Sequence, residues 1–154
     1  MRLVVFGNSG AGKSTLARSL AGEGVAHLDL DTLAWQPTEP PVRTPLDQAE
    51  AELRRFVQAN EHWVVEGCYA DPIALVIDEA TELVFLDASV QTCQAHARQR
   101  LWEPHKYRSK QDQDANLPML LDWIAGYPTR EGPLGRPAHV ALFDGFSGKK
   151  ERRE

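Results

Sequence analysis

Cysteine is scarce: Cys68 and Cys93 are the only two, and their spacing fits neither a zinc knuckle nor a redox pair. Each reads as a small buried residue. The histidines at 27, 62, 96, 105 and 139 never fall at metal-ligand spacing. No apolar run approaches the ~18 residues of a membrane span. The first apolar stretch breaks at Gly7 and Asn8, too early for the core of a secretory signal, so a reducing cytoplasm is the expected location. Basic charge is also in deficit. The 17 Lys and Arg stand against 22 Asp and Glu, a net charge of −5. That makes nucleic acid a poor partner, because phosphate backbones reward a basic surface. Internal repeats are absent, and 154 residues suit one domain with a real core, spanning 1–154.

What the chain does have is glycine in one telling place. "VVFGNSGAGKST" (4–15) drops from an apolar run into a glycine-rich turn and then into Lys-Ser-Thr. Gly7, Gly10 and Gly12 permit backbone that side chains oppose, so N–H groups of Asn8, Ser9, Ala11 and their neighbours can turn inward as an anion nest. A helix beginning near Thr15 adds its N-terminal dipole. In a G-x-x-x-x-G-K-[ST] loop, Lys13 reaches the β- and γ-phosphates and the Ser14 hydroxyl ligates Mg²⁺. The residues from Gly7 to Thr15 are thus the expected phosphate-binding loop.

Further along, strands alternate with helices, the pattern of a parallel sheet covered on both faces. Strands are expected at 3–6, 25–31, 62–69, 82–88 and 138–143. A proline-rich loop occupies 36–43. A helix from 44 to 60 has Thr44 as N-cap, Pro45 at its first position and Asp47 closing a capping box, with Leu46, Ala49, Leu53 and Phe56 facing the core. Ser89 caps a helix over 90–102, and 117–126 forms another. The polar stretch 103–116 reads as a lid, and 147–154 as a charged tail.

Phosphoryl transfer needs acids for the metal, a group to orient the acceptor and cations for the transferring phosphoryl. In parallel α/β folds these converge at the carboxyl ends of strands. Asp29 and Asp31, two apart at the end of the second strand, project from one face. Glu66 ends the third strand. Asp29 and Glu66 are expected to position the waters of Mg²⁺, and Asp31 to orient or deprotonate the acceptor hydroxyl. Arg98 and then Arg100 are the expected transition-state cations, backed by Lys106, Arg108 and Lys110 in the lid. Trp35, Arg43 and Tyr69 are available to line an acceptor pocket.

"GNSGAGKSTLARSLA", "HLDLDTLAWQP", "WVVEGCY" and "TELVFLDAS" together resemble the small P-loop kinases of the adenylate, shikimate and gluconate kinase type. Within them the chain is most similar to the topology-modulation, or adenylate kinase-like, group. Asp31, Leu33 and Trp35 carry that likeness, as do Glu66, Gly67 and Tyr69, over roughly residues 1 to 100. The resemblance implies an α/β, three-layer P-loop NTPase fold with a five-stranded parallel sheet of order 2-3-1-4-5. It implies ATP with Mg²⁺, and adenine near the lid helix and the loop after the last strand, here Phe143 to Gly145. Glu66-Gly67-Cys68 stands where shikimate kinases carry a double glycine. The adenylate kinase pattern Asp-Gly-Phe-Pro-Arg lacks its Pro and Arg here, so neither substrate carries over. The expected function is an ATP-dependent kinase for a small hydroxyl-bearing metabolite. A nucleoside or nucleotide kinase, with Arg43 or Tyr69 on the base or phosphate, is the nearest alternative. A switch or ATPase acting on a protein partner is another. A guanine-reading Asn-Lys-x-Asp is absent from the sequence.

Overall fold

The computed structural model describes residues 1–36 and 42–154. Strand β1 (Arg2–Gly7) is buried from Leu3 onward and forms the middle of a five-stranded sheet. On one side lies β5 (Trp63–Gly67), with Val4 opposite Val65, and beyond it β2 (Ala26–Asp29). On the other side β6 (Glu82–Leu86) sets Leu83 opposite Val4, with β7 (Lys149–Arg153) outermost. Every pairing in this sheet is parallel.

Strand alternation divides the core in two. Val4, Phe6, Val65 and Phe85 face one way, against α3 (Leu46–Ala59), α4 (Ala70–Val76) and α7 (Arg136–Gly145). Leu3, Val5, Val64 and Val84 face the other, against α1 (Lys13–Leu20), α5 (Val90–Gln99) and α6 (Lys110–Gly126). Phe6 stacks on Phe85 with centroids 5.0 Å apart. Fully burying such side chains contributes about 1.5–3 kcal/mol each, and helices on both faces make three layers. Among the described residues, no helix is long and apolar enough to cross a membrane.

Several expected elements are displaced. The stretch 138–143 lies inside helix α7, because Gly135 and Pro137 start a helix there and a short apolar run does not distinguish strand from helix. The fifth strand is instead the charged tail. All five of its residues are exposed, and two of its cations are paired to acids of the β6 region: Lys149 with Glu82 at 3.8 Å, and Arg152 with Asp87 at 2.7 Å. A charged outer strand discourages edge pairing with other chains.

Strand β2 ends at Asp29, and Asp31 opens a one-turn helix, α2 (Asp31–Ala34). Helix α3 begins at Leu46 with Pro45 at its cap and no side-chain cap, so Thr44 does not serve. Its buried stripe is Ala49, Leu53 and Val57, and Leu46 is exposed. Ser89 does cap α5, accepting from the Thr92 amide at 3.1 Å. The expected lid is split: 110–116 is the first part of α6, capped by Ser109. Of the proline-rich loop, 37–41 lies outside the described residues. Its flanks, β3 (Trp35–Gln36) and β4 (Val42–Arg43), pair as a short antiparallel hairpin.

Candidate active site

A cleft of about 1100 Å³ opens at the carboxyl ends of β1, β2, β5 and β6. The glycine-rich loop forms its floor, from Ser9 through Gly10, Ala11, Gly12, Lys13 and Ser14 to Thr15. Two glycines explain the loop's shape. Gly10 has φ +80°, and a Cβ there would collide with the Cys93 carbonyl at the start of α5. Gly12, at φ +95°, is the left-handed cap from which α1 departs. Gly7 and Asn8 lie beneath the cleft rather than on its wall. Asn8 is buried, and its side-chain amide donates to the Ile124 carbonyl at 3.2 Å, tying the loop to α6. The His96 ring is 2.7 Å from the Gly10 carbonyl. The Lys13 ammonium folds back to donate to the Asn8 carbonyl at 2.6 Å.

Two acids here are pushed in opposite directions. The Ser14 hydroxyl donates to Glu66 Oε1 at 2.7 Å, and His27 Nε2 stands 3.5 Å from the same oxygen without a hydrogen bond. Glu66 is 1 % exposed. Burial first, then the Asp29 carboxylate, raises its pKa, and Lys13, Ser14 and His27 only partly oppose this. For Asp31, burial also pushes upward, but Lys106, the Tyr69 hydroxyl and Lys13 together outweigh it and hold the carboxyl below its usual range. Lys106 Nζ is 2.8 Å from Asp31 Oδ2 and 3.8 Å from Asp29 Oδ2. Although burial lowers the Lys106 pKa, Asp31 and Asp29 more than reverse that and raise it.

The expected acceptor residues form a relay among themselves. The Trp35 indole donates to the Tyr69 hydroxyl at 2.9 Å, and Tyr69 donates to Asp31 Oδ1 at 2.5 Å. Burial, with Cys68 and Asp31, raises the Tyr69 phenol, keeping it a proton donor. Trp35 and Tyr69 line the cleft, but Arg43 does not. Its guanidinium lies 5.0 Å from the Tyr69 ring centroid and is held by Asp71 at 3.3 Å.

Of the remaining expected site residues, Arg98, Phe143 and Gly145 lie outside the cleft and Arg100 lines it. Arg98 faces solvent, because Cys93 and Ala97 turn the opposite face of α5 into the core. Arg100 is on the cleft wall, 3.5 Å from Glu103. Phe143 and Gly145 end α7 rather than following the last strand, and neither lines the cleft. Lys106, by contrast, carried no sequence signal tying it to Asp31. Only the fold brings the two together.

Among the described residues, no three His, Cys, Asp or Glu side chains stand close enough to hold a metal alone. The donor set nearest to suiting Mg²⁺ is Ser14, Glu66 and Asp29: one hydroxyl already turned to a buried carboxylate, with a second carboxylate influencing that acid's charge. No family model matches the chain, and no curated protein matches it.

Proposed function

We propose that this protein is an ATP-dependent phosphotransferase of the P-loop kinase class, acting on a small hydroxyl-bearing molecule. One observation carries the reading. Lys13 and Ser14 from the glycine-rich loop, Glu66 from β5 and Asp31 beyond β2 all open into a single cleft at the strand ends. A cradle for phosphates beside an ionised acid is what phosphoryl transfer requires.

In this reading the loop amides and the Lys13 ammonium bind the β- and γ-phosphates, Lys13 leaving the Asn8 carbonyl to do so. Mg²⁺ would be held at the Ser14 hydroxyl with Glu66 and Asp29 behind it, and it supplies charge neutralisation for the phosphates. Asp31, ionised, orients the acceptor hydroxyl and takes its proton as the new oxygen–phosphorus bond forms and ADP leaves. Arg100, on the cleft wall, is the cation proposed for the transferring phosphoryl. The Trp35–Tyr69 relay fixes one Asp31 oxygen so that the other faces the acceptor. With Arg43 engaged by Asp71 outside the cleft, a phosphate-bearing acceptor has less support than a neutral hydroxyl compound.

The first test is ligand-linked stability. Mg-ATP at ~100 times its Kd stabilises by about 2.7 kcal/mol, on the order of 5–10 °C in a domain of this size. Lys13→Ala is expected to lose most of that shift, and equal shifts in both proteins would reject the nucleotide site. A screen of ADP release across sugars, hydroxy acids, nucleosides and nucleotides then identifies the acceptor. Full ADP release with none added would instead favour an ATPase.

A further inference from the structure

The acid assigned to the acceptor is already occupied in the free protein. Asp31 Oδ1 accepts from Tyr69, and Oδ2, the remaining oxygen, meets Lys106 Nζ at 2.8 Å. Lys106 belongs to the strap 100–109 between α5 and α6, whose residues from Arg100 to Lys106 form one wall of the cleft. The strap has its own shape. Gln113 on α6 donates to the Leu101 carbonyl at 3.0 Å and accepts from the Glu103 amide at 2.9 Å. The Trp102 indole donates to the Tyr107 carbonyl at 3.1 Å. These bonds anchor the strap to its own side. Across the cleft its ion pairs are those of Lys106 with Asp31 and Asp29, and Glu103, 3.5 Å from the same ammonium, helps hold Lys106 in place.

We propose that Lys106 is an internal latch, holding the strap shut over the cleft by covering the Asp31 oxygen an acceptor hydroxyl would use. A ligand entering this site must displace Lys106 and offer Asp31 a donor in exchange. The free protein is therefore closed at this point, in contrast to a lid that orders only around nucleotide. That an acceptor is the displacing group rests on the phosphotransferase reading. The latch itself does not.

The test is a double-mutant cycle read by hydrogen exchange without any ligand, using Lys106→Met, Asp31→Asn and the double variant. Both side chains are partly exposed, 24 % and 35 %, so each single change is expected to speed exchange of the 101–107 amides by about threefold or more. The double variant is expected to be no faster than Lys106→Met alone, because that change already removes the Asp31 pair together with the Asp29 one. Lys106→Arg is expected to restore slow exchange, and β1 and β5 amides report that the fold is intact. Unchanged strap exchange, or additive effects, overturns the latch. A second measurement is the association rate of a fluorescent ATP analogue, expected to rise at least threefold in Lys106→Met as for a partly exposed pair. A loosened strap with an unchanged rate would show that it does not gate the cleft. If neither protein binds the analogue, the nucleotide reading fails, and the exchange cycle still decides the latch.

Discussion

Asp31 and Glu66 share one cleft, yet their surroundings drive them apart: Lys106 and Tyr69 keep Asp31 ionised, while burial and Asp29 push Glu66 toward its neutral form. Opposed carboxyls of this kind divide labour between groups. Asp31→Asn is expected to leave Mg-ATP affinity within a few-fold while cutting acceptor-dependent turnover by at least ~10²-fold. Calorimetric titration and initial rates separate the two effects, and near wild-type turnover would remove Asp31 from the chemistry. The residues legible in the sequence were those whose placement is local. The residues from Ser9 to Thr15 line the cleft together, since seven consecutive residues at one turn cannot be far apart. Lys106 is 75 positions from Asp31, and no local pattern signals that meeting. Arg98 failed for a simpler reason: helical phase puts it on the solvent face, with Cys93 and Ala97 buried opposite.

At the scale of elements, the loop is built by its contact with α5 as much as by its own glycines. Gly10 and Gly12 both have positive φ, but a side chain at Gly10 also meets the Cys93 backbone, whereas the space at Gly12 is open. Left-handed backbone costs a non-glycine residue about 1–2 kcal/mol, which is the whole expected effect of Gly12→Ala. Gly10→Ala adds a clash with main chain that cannot move without shifting α5, and is expected to cost at least ~1 kcal/mol more. Urea midpoints of the two variants give the comparison, and equal losses would mean that the loop and α5 are not packed rigidly. The central strands were readable because their buried runs are continuous: Leu3 to Phe6, Trp63 to Glu66, Leu83 to Phe85. The outer strand was not, since its residues are exposed and its place is set by pairing with β6 and by ions to Glu82 and Asp87. Nothing in "KKERR" alone carries that information.

At the scale of the whole molecule, one buried histidine ties α7 to the centre of the sheet. His139 on α7 is fully buried, edge-on to Phe6 and Phe85 of the sheet. Its Nε2 lies 2.8 Å from the Cys68 carbonyl, just past β5, and its Nδ1 lies 2.7 Å from the Tyr127 hydroxyl. A carbonyl only accepts, so Nε2 carries the proton, and in the neutral ring Nδ1 accepts from the Tyr127 hydroxyl. Burial lowers the His139 pKa to about 4, against the opposing pull of the Cys68 carbonyl. The sign follows directly. Between pH 6.5 and about 4 the unfolded chain binds a proton that the folded one refuses, so stability is full above 6.5 and falls as pH drops through that window. Two pH units, from 6.5 to 4.5, correspond to about 2.7 kcal/mol. Asp31 and Asp87, both held below the usual carboxylate range, lose their contributions only at lower pH. The other four histidines are common to wild type and variant, so a difference isolates His139. His139→Gln keeps a donor for the Cys68 carbonyl and removes the titrating ring. It is expected to be less stable at pH 7 but to lose about 2–3 kcal/mol less than wild type between pH 7 and 4.5, by urea unfolding. Parallel pH curves for the two proteins would mean that the folded state accepts the proton at His139, and that α7 is not held to the sheet by a neutral ring.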